Sequence, residues 1–452
     1  MQIYERENNF LVVLGHIPQW IIVDSFGLEI LKHIVNGLTL NETAEKFSSD
    51  QYEETAEVYN DLFPLVTRKI NRDSPIIEKS LTSKNTVAMI AVTKRCNLQA
   101  FCPHCYVDAS CSHTNELSVD EHVHLANSIR HCLTPDPSKI YKVNLTGGEP
   151  FLHPKIIRII ETYREAGLAV NMNTNALLIK DADIPELKKF GVVLSVSLDG
   201  AEKITHERIR GPRSWEKVTR KIRQITDSGI KVGINCLLHE GNVAELEKMV
   251  EQAHLLGCSG FNPINLVQLG RACNSPLKRV SETQVFRRLA QHLGNHPEQS
   301  HLFDFSSLFS SLGAALLTGV TCENCGVGSR PCVYVGETGN VYPCPNTQRE
   351  EFLLGNIRND SLSSCVRLDH PVLTRLRSLS VAHLNKKCEV CDVRFFCGGD
   401  CRGETYNVTG DLNAPYVACE DRHDSIVELM WIVAENPSLF ANKADEYISN
   451  LH

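Results

Sequence analysis

Eighteen cysteines in a 452-residue chain, ten of them from Cys322 to Cys419, constrain this sequence more than any other feature. Thiols at that density are either paired as disulfides in an oxidising compartment or gathered around metal in a reducing one. The start MQIYERENN lacks the basic-then-apolar pattern of a secretion signal. No apolar run approaches the ~18 residues that would span a bilayer. A cytoplasmic protein that does not enter the membrane and uses thiolates as metal ligands is therefore expected. The net charge of −8 gives no general attraction to phosphate backbones, so nucleic acid is not an expected partner.

From residue 86 onward, apolar strands alternate with amphipathic helices. The strands are VAMIAVT, KVNLTGG, LAVNMNTN, VVLSVSLDG, KVGINCLL and GFNPINLV, separated by stretches such as KIIRIIETYREAG and ELEKMVEQAHLLG. Strands alternating with helices make parallel βαβ units. Six of them predict an α/β fold with a partial (β/α)6 barrel and chemistry at the carboxyl ends of its strands. After about residue 300 this rhythm gives way to cysteine-rich turns. The expected division is an N-terminal winged-helix module at 1–80, the barrel at 85–300, a cysteine-rich domain at 301–425 and a helical segment at 426–452, with a linker at 71–75.

Directly after the first barrel strand stand Cys96, Cys102 and Cys105. Three thiolates on a four-iron cubane leave one iron open, and that iron can chelate the amino and carboxylate groups of a methionine sulfonium. One electron into the sulfonium breaks a carbon–sulfur bond and releases a 5′-deoxyadenosyl radical. Further motifs follow at the strand ends: Gly147-Gly148-Glu149-Pro150 after the second, Thr174 and Asn175 at the third, and Ser197 and Asp199 at the fourth. Arg210 and Gly270-Arg271 come after them.

With these motifs in this order the chain resembles the radical S-adenosylmethionine (SAM) superfamily. The resemblance implies that Cys96, Cys102 and Cys105 hold a [4Fe-4S] cluster and that His104 meets the adenine of SAM. It implies that Gly147, Gly148, Glu149 and Pro150 receive the methionine amino group. Thr174, Asn175, Ser197 and Asp199 would face the ribose and the carboxylate, and Arg210 would pair with that carboxylate. Five residues separate the first two loop cysteines, where the family usually has three.

Further on, the spacing is Cys388-x2-Cys391-x5-Cys397-x3-Cys401, then Cys419 after seventeen more residues, preceded by Cys325, Cys332 and Gly339-x4-Cys344. This pattern resembles the SPASM domain over roughly residues 320–420. It implies two auxiliary [4Fe-4S] clusters, one on Cys325, Cys332, Cys344 and Cys401 and one on Cys388, Cys391, Cys397 and Cys419. With the loop cluster, the expected complement is three clusters and SAM. Two zinc sites would use as many thiols as the auxiliary pair. Cys111, Cys132, Cys236, Cys258, Cys273, Cys322 and Cys365 are left over, and most read as small buried hydrophobes. Cys236 and Cys322 are also candidates for donating a hydrogen atom or holding substrate.

At the N-terminus, two apolar runs flank residues 16–19 and suggest a hairpin. Ile30, Leu31, Ile34 and Val35 then mark a helix, and Thr39 with Glu42 has capping-box spacing. This stretch resembles PqqD-like leader-recognition domains, which bind a peptide as an added strand. Together the resemblances imply a radical SAM enzyme that matures a ribosomally synthesised precursor peptide by a cross-link, with a thioether as the leading expectation and flavodoxin or ferredoxin as electron donor. Epimerisation and carbon–carbon cross-linking use the same modules, and a non-catalytic iron–sulfur scaffold is the bland alternative. Sulfatase maturation fits less well, because Pro345 stands where that family has an Asp.

Overall fold

Strands β1 (Gln2–Arg6), β2 (Asn9–Leu14) and β3 (Gln19–Val23) form an antiparallel meander in that order. Helix α1 (Ser25–Val35) follows, started by Asp24, whose side chain accepts from the Gly27 amide at 2.8 Å. Thr39 and Glu42 make the expected capping box at α2 (Leu40–Ala44), and α3 (Tyr52–Thr67) completes the module. Both faces of this sheet are covered. Val12 and Leu14 pack with Ile30, Leu31, Tyr59 and Leu62 of the module's own helices. Leu11 and Val13, one residue out of phase, join the main core of the protein, with Tyr4, Trp20 and Ile22 against it. The computed structural model describes all residues except 16, 68–85, 111, 113–114, 137, 304–306, 328–331 and 450–452, so the linker at 71–75 and Cys111 lie outside the described residues.

The barrel strands are β4 (Thr86–Thr93), β5 (Lys142–Gly147), β6 (Ala169–Thr174), β7 (Val193–Ser197), β8 (Val232–Leu238) and β9 (Gly260–Asn265), adjacent in chain order and parallel throughout. Between and after them lie α4 (Val119–Cys132), α5 (Ile156–Glu165), α6 (Asp183–Lys189), α7 (Lys203–Arg210), α8 (Trp215–Asp227), α9 (Leu246–Leu255), α10 (Glu282–Asn295) and α11 (Leu308–Thr318). Alternation decides which face is which. Val143, Leu145, Val170, Met172, Leu194, Val196 and Ile234 belong to the packed core. The residues between them are polar and only half-buried: Asn144, Asn171, Asn173, Ser195, Ser197, Asn235 and Asn262. One face of the sheet is thus built to pack against helices and the other to meet polar ligands.

The sheet does not end at six strands. Strand β10 (Val333–Val335) pairs in parallel with β4, Val333 opposite Ala88, and β11 (Asn340–Tyr342) and β12 (Gly355–Asn356) extend it to nine. The cysteine-rich region is thereby continuous with the barrel sheet. Short helices α12 (Leu362–Cys365), α13 (Pro371–Arg377), α14 (Lys386–Val390), α15 (Arg394–Cys397) and α16 (Arg402–Thr409) follow, then α17 (Cys419–Glu435) and α18 (Ala441–Ser449). Buried charges join barrel to cysteine-rich region. Arg279 pairs with Glu404, and Arg422 pairs with both Asp400 and Glu282, the latter at 2.7 Å. Among the described residues no helix is long and apolar enough to cross a membrane.

Candidate active site and cluster cavities

The three-thiol loop leaves the end of β4 and is held from three sides. Gly148 and Glu149 donate their amides to the carbonyls of Thr93 and Arg95 at 2.8 and 2.7 Å. This approach requires glycine, since a Cβ on Gly148 would stand 2.1 Å from the Arg95 oxygen and one on Gly147 2.1 Å from the Thr93 oxygen. From the far side of the barrel, Arg271 reaches back to donate to the Ala109 carbonyl at 2.5 Å and the Cys102 carbonyl at 3.3 Å, and its amide donates to the Cys105 carbonyl at 3.0 Å. Below the loop, Arg95 forms a two-pronged pair with Glu116 at 2.9 and 3.0 Å.

Within this frame the thiols converge. Cys102 is buried, and the Cys96 thiol, pushed up to about 12 by burial, also feels Cys102 and Cys105. The Cys96 and Cys105 sulfurs each accept a backbone N–H at 3.4 Å, from Leu98 and Ala109. The buried Nδ1 of His104 has no hydrogen-bond partner, and burial with the charge of Arg210 pulls its pKa down to about 3, so the ring is neutral. A buried, unpartnered ring nitrogen beside three thiols is a group positioned for a ligand.

Strand-end carboxylates brace the walls. Glu149 is 0% exposed and fully engaged: Thr174 Oγ1 and the Asn175 amide each donate to it at 2.7 Å. Asn175 also donates to Asn97 on the loop at 2.8 Å. Asp199, equally buried, accepts from Arg210 Nε at 2.5 Å and from the Leu237 amide at 2.8 Å. Burial alone would raise its pKa, but the charge and hydrogen bond of Arg210 overcome it and bring the group down to about 2. Ser197 ends β7 opposite Asn235, and Pro150 is buried at the turn after Glu149.

In the cysteine-rich region, Cys322, Cys325, Cys344, Cys397 and Cys401 line one cavity of about 290 Å³. That is roughly ten times a water molecule's ~30 Å³ share of the liquid, and a lone zinc ion would leave most of it empty. Cys401 Sγ accepts from Asn346 Nδ2 at 3.2 Å and from the Glu404 amide at 3.4 Å, the donors a metal-bound thiolate uses. Burial pushes Cys322 and Cys344 up to about 12 and Cys401 to about 11, so metal binding here must release protons. A second group comprises Cys388, Cys391 and Cys419, each within electrostatic reach of another. None of the described cysteines is in a disulfide. The size of the cavity and its thiol lining fit an iron–sulfur cluster.

Residues 90–253 match the family model of the radical SAM superfamily, and residues 325–392 match that of the SPASM iron–sulfur cluster-binding domain. The chain carries a radical SAM domain followed by a SPASM domain. Among relatives of this radical SAM protein, the antilisterial bacteriocin subtilosin biosynthesis protein AlbA of Bacillus subtilis is 24% identical over 381 residues, 79% of this chain and 80% of that one. The AdoMet-dependent heme synthase of Methanosarcina barkeri is 28% identical over 340 residues, 71% of this chain and 92% of that one. Streptococcus suis SuiB bound to precursor peptide SuiA shares the fold with a TM-score of 0.58 at 16% identity, covering 93% of this chain and 100% of that one.

The structure of this radical SAM enzyme places its spare thiols and adds a brace. Cys322, read as a spare, lines the same cavity as Cys325, Cys344 and Cys401, whereas Cys332 sits just before β10 and is not among its lining residues. Two residues separate Cys322 from Cys325, a proximity that was the available signal. Cys236, the other candidate spare, is 0% exposed and lies 3.4 Å from Met249 Sδ in the core between β8 and α9, on the opposite face of the strand from Asn235. The brace from Arg95 to Glu116 had no sequence signal at all.

Proposed function

We propose that this enzyme matures a ribosomally synthesised precursor peptide by closing a cross-link, a thioether from a cysteine sulfur to a carbon. The observation that carries the reading is the N-terminal sheet, packed onto the cluster-bearing body while β3 pairs with β2 alone among the described strands. An unpaired edge can accept an extended peptide as an added strand. The peptide-linked names of two similar proteins, a bacteriocin biosynthesis protein and a SuiB structure with its precursor peptide, support the same reading. It is favoured over a porphyrin substrate, suggested by the heme synthase relative, because a porphyrin has no use for a strand edge.

In this proposal Cys96, Cys102 and Cys105 hold the SAM-binding cluster. Cys325, Cys344 and Cys401, with Cys332 or Cys322 as fourth thiol, hold the first auxiliary cluster, and Cys388, Cys391 and Cys419, with Cys397, which also lines the first cavity, as fourth thiol, hold the second. When bound, SAM on the loop cluster supplies a 5′-deoxyadenosyl radical, and the auxiliary clusters supply an electron sink. The chain's own part is placement. His104 offers a neutral ring to the adenine, and Arg210, fixed by Asp199, offers a guanidinium to the methionine carboxylate. Glu149, tied to Thr174 and Asn175, keeps the glycine turn rigid against the loop. An oxidative outcome also agrees with Cys236, because a thiol sealed in the helix layer is not placed to return a hydrogen atom as an epimerase requires.

The test is to incubate the cluster-loaded enzyme with SAM, a reductant such as reduced flavodoxin and the precursor peptide in heavy water. Loss of about two mass units per event, with matching deoxyadenosine, supports cross-linking. One solvent deuterium at a backbone carbon would establish epimerisation, and SAM cleavage with no change in any peptide would defeat the proposal.

A further inference from the structure

The N-terminal sheet meets the second thiol group through one side chain. Tyr4 on β1 donates its hydroxyl to Asp392 Oδ2 at 2.8 Å and lies 3.1 Å from His423 Nε2. Asp392 follows Cys391 directly, and His423 stands about one helical turn after Cys419 on α17. His423 Nε2 and Asp392 Oδ1 are 2.9 Å apart. Cys391 Sγ, an Asp392 carboxylate oxygen and a His423 ring nitrogen all lie within 4.8 Å of one another. A residue of the peptide-recognition module therefore completes a polar cluster that touches a cluster-ligand thiol.

The contact is rigidly backed. A Cβ on Gly15 would stand 2.8 Å from Asp392 Cα, so the end of the β2 segment lies directly on the ligand loop. Arg6 Nη2 is 2.7 Å from Glu428 Oε2, and its guanidinium lies 4.8 Å over the Trp431 ring. Trp20 Nε1 donates to the Leu316 carbonyl at 3.3 Å. These contacts hold the strand that carries Tyr4 against α17 and the ligand loop.

Charge and hydrogen bonds next to a thiolate-bound cluster set its potential. The Tyr4 hydroxyl donates into the Asp392 carboxylate and offsets part of its negative charge. We propose that Tyr4 is a positioning residue of the second auxiliary cluster, and that docking of the N-terminal module and the redox state of that cluster are linked. The inference rests on the reading that Cys388, Cys391 and Cys419 bind a cluster. Linkage is reciprocal, so a module that docks tenfold more tightly on one oxidation state shifts the potential by about 59 mV for one electron. Peptide engagement at the module would then reach the electron sink without touching it.

The experiment is an EPR-monitored redox titration of the fully loaded, full-length enzyme and its Tyr4→Phe and Asp392→Asn variants, with iron measured on each. Tyr4→Phe leaves Asp392 less neutralised and is expected to lower the midpoint of one cluster signal, with iron content and the other two signals unchanged. Asp392→Asn is expected to raise the same midpoint. Arg6→Ala, which loosens docking while replacing no residue of the polar cluster, is expected to move it in the Tyr4→Phe direction and to speed amide exchange in β1. Unchanged midpoints in all variants at full iron content overturn the proposal. Wild-type enzyme showing only two clusters by iron and EPR overturns the reading beneath it, a result separate from any variant.

Discussion

Arg210 and Asp199 form a buried ion pair, Nε to Oδ2 at 2.5 Å, and the far end of the same guanidinium lies 3.9 Å from Cys102 Sγ. One arginine thus joins a strand-end carboxylate to the thiol loop. Removing one partner of a buried pair strands the other charge, which costs about 3–5 kcal/mol. Asp199→Asn is expected to lower stability by that order in urea unfolding and to weaken SAM binding measured by calorimetry. Unchanged SAM affinity would mean that Arg210 does not depend on Asp199 for its position.

Gly148 sets the distance between the glycine turn and the loop. Its missing side chain leaves room for the Arg95 carbonyl, where a Cβ would stand at 2.1 Å from backbone that cannot swing aside. Gly148→Ala is expected to displace the loop and lose its cluster, seen under the proposed three-cluster complement as a drop of about one third in iron per chain with the SPASM signals retained. Full iron content in the variant would contradict this account of the loop.

In the proposed ligation, Cys322 and Cys332 are the two candidates for the fourth thiol of the first auxiliary cluster. Because Cys322 lines that cavity, Cys322→Ala is expected to lose the signal of this cluster in Mössbauer and EPR spectra. Loss in Cys332→Ala with an intact Cys322→Ala spectrum would return the place to Cys332.

His122 on α4 gives a stability limb that is independent of the clusters. It is 0% exposed, lies 2.9 Å from the Tyr163 hydroxyl through Nδ1, and burial, helped by His153, lowers its pKa to about 4. An unfolded histidine titrates near ~6.5, so between those values the unfolded chain binds a proton that the folded chain refuses. This contribution is complete above pH ~6.5, is lost as pH falls toward 4 and levels below, about 3 kcal/mol in all. His206 and His104 act in the same direction, so the difference between proteins is the readout. His122→Gln is expected to flatten the loss between pH 6.5 and 4 in urea unfolding, and an unaltered slope would refute the assignment.

Local pattern carried much of this protein. Thr39 and Glu42 are three residues apart because a capping box is a three-residue device, and it formed as read. Strands β4 to β9 were legible because each repeats apolar residues over five or more positions. Strands β10 to β12, of two or three residues, have too few positions to show a period, and only the open edge of β4 makes them strands.

The cysteine loop, Gly147 to Pro150 and the SPASM spacing belong to the sequence by itself, because cluster ligation and close backbone approach demand fixed residue types at short spacing. The tertiary structure alone decided the rest. Cys322 and Cys401 line one cavity across 79 positions of chain, and Arg271 clamps Ala109, 162 positions before it. Tyr4 reaches Asp392 across 388. Such contacts are set by which sheet faces and edges must be covered once the chain folds, and a face seeking cover specifies apolar or polar character, not the identity of its partner.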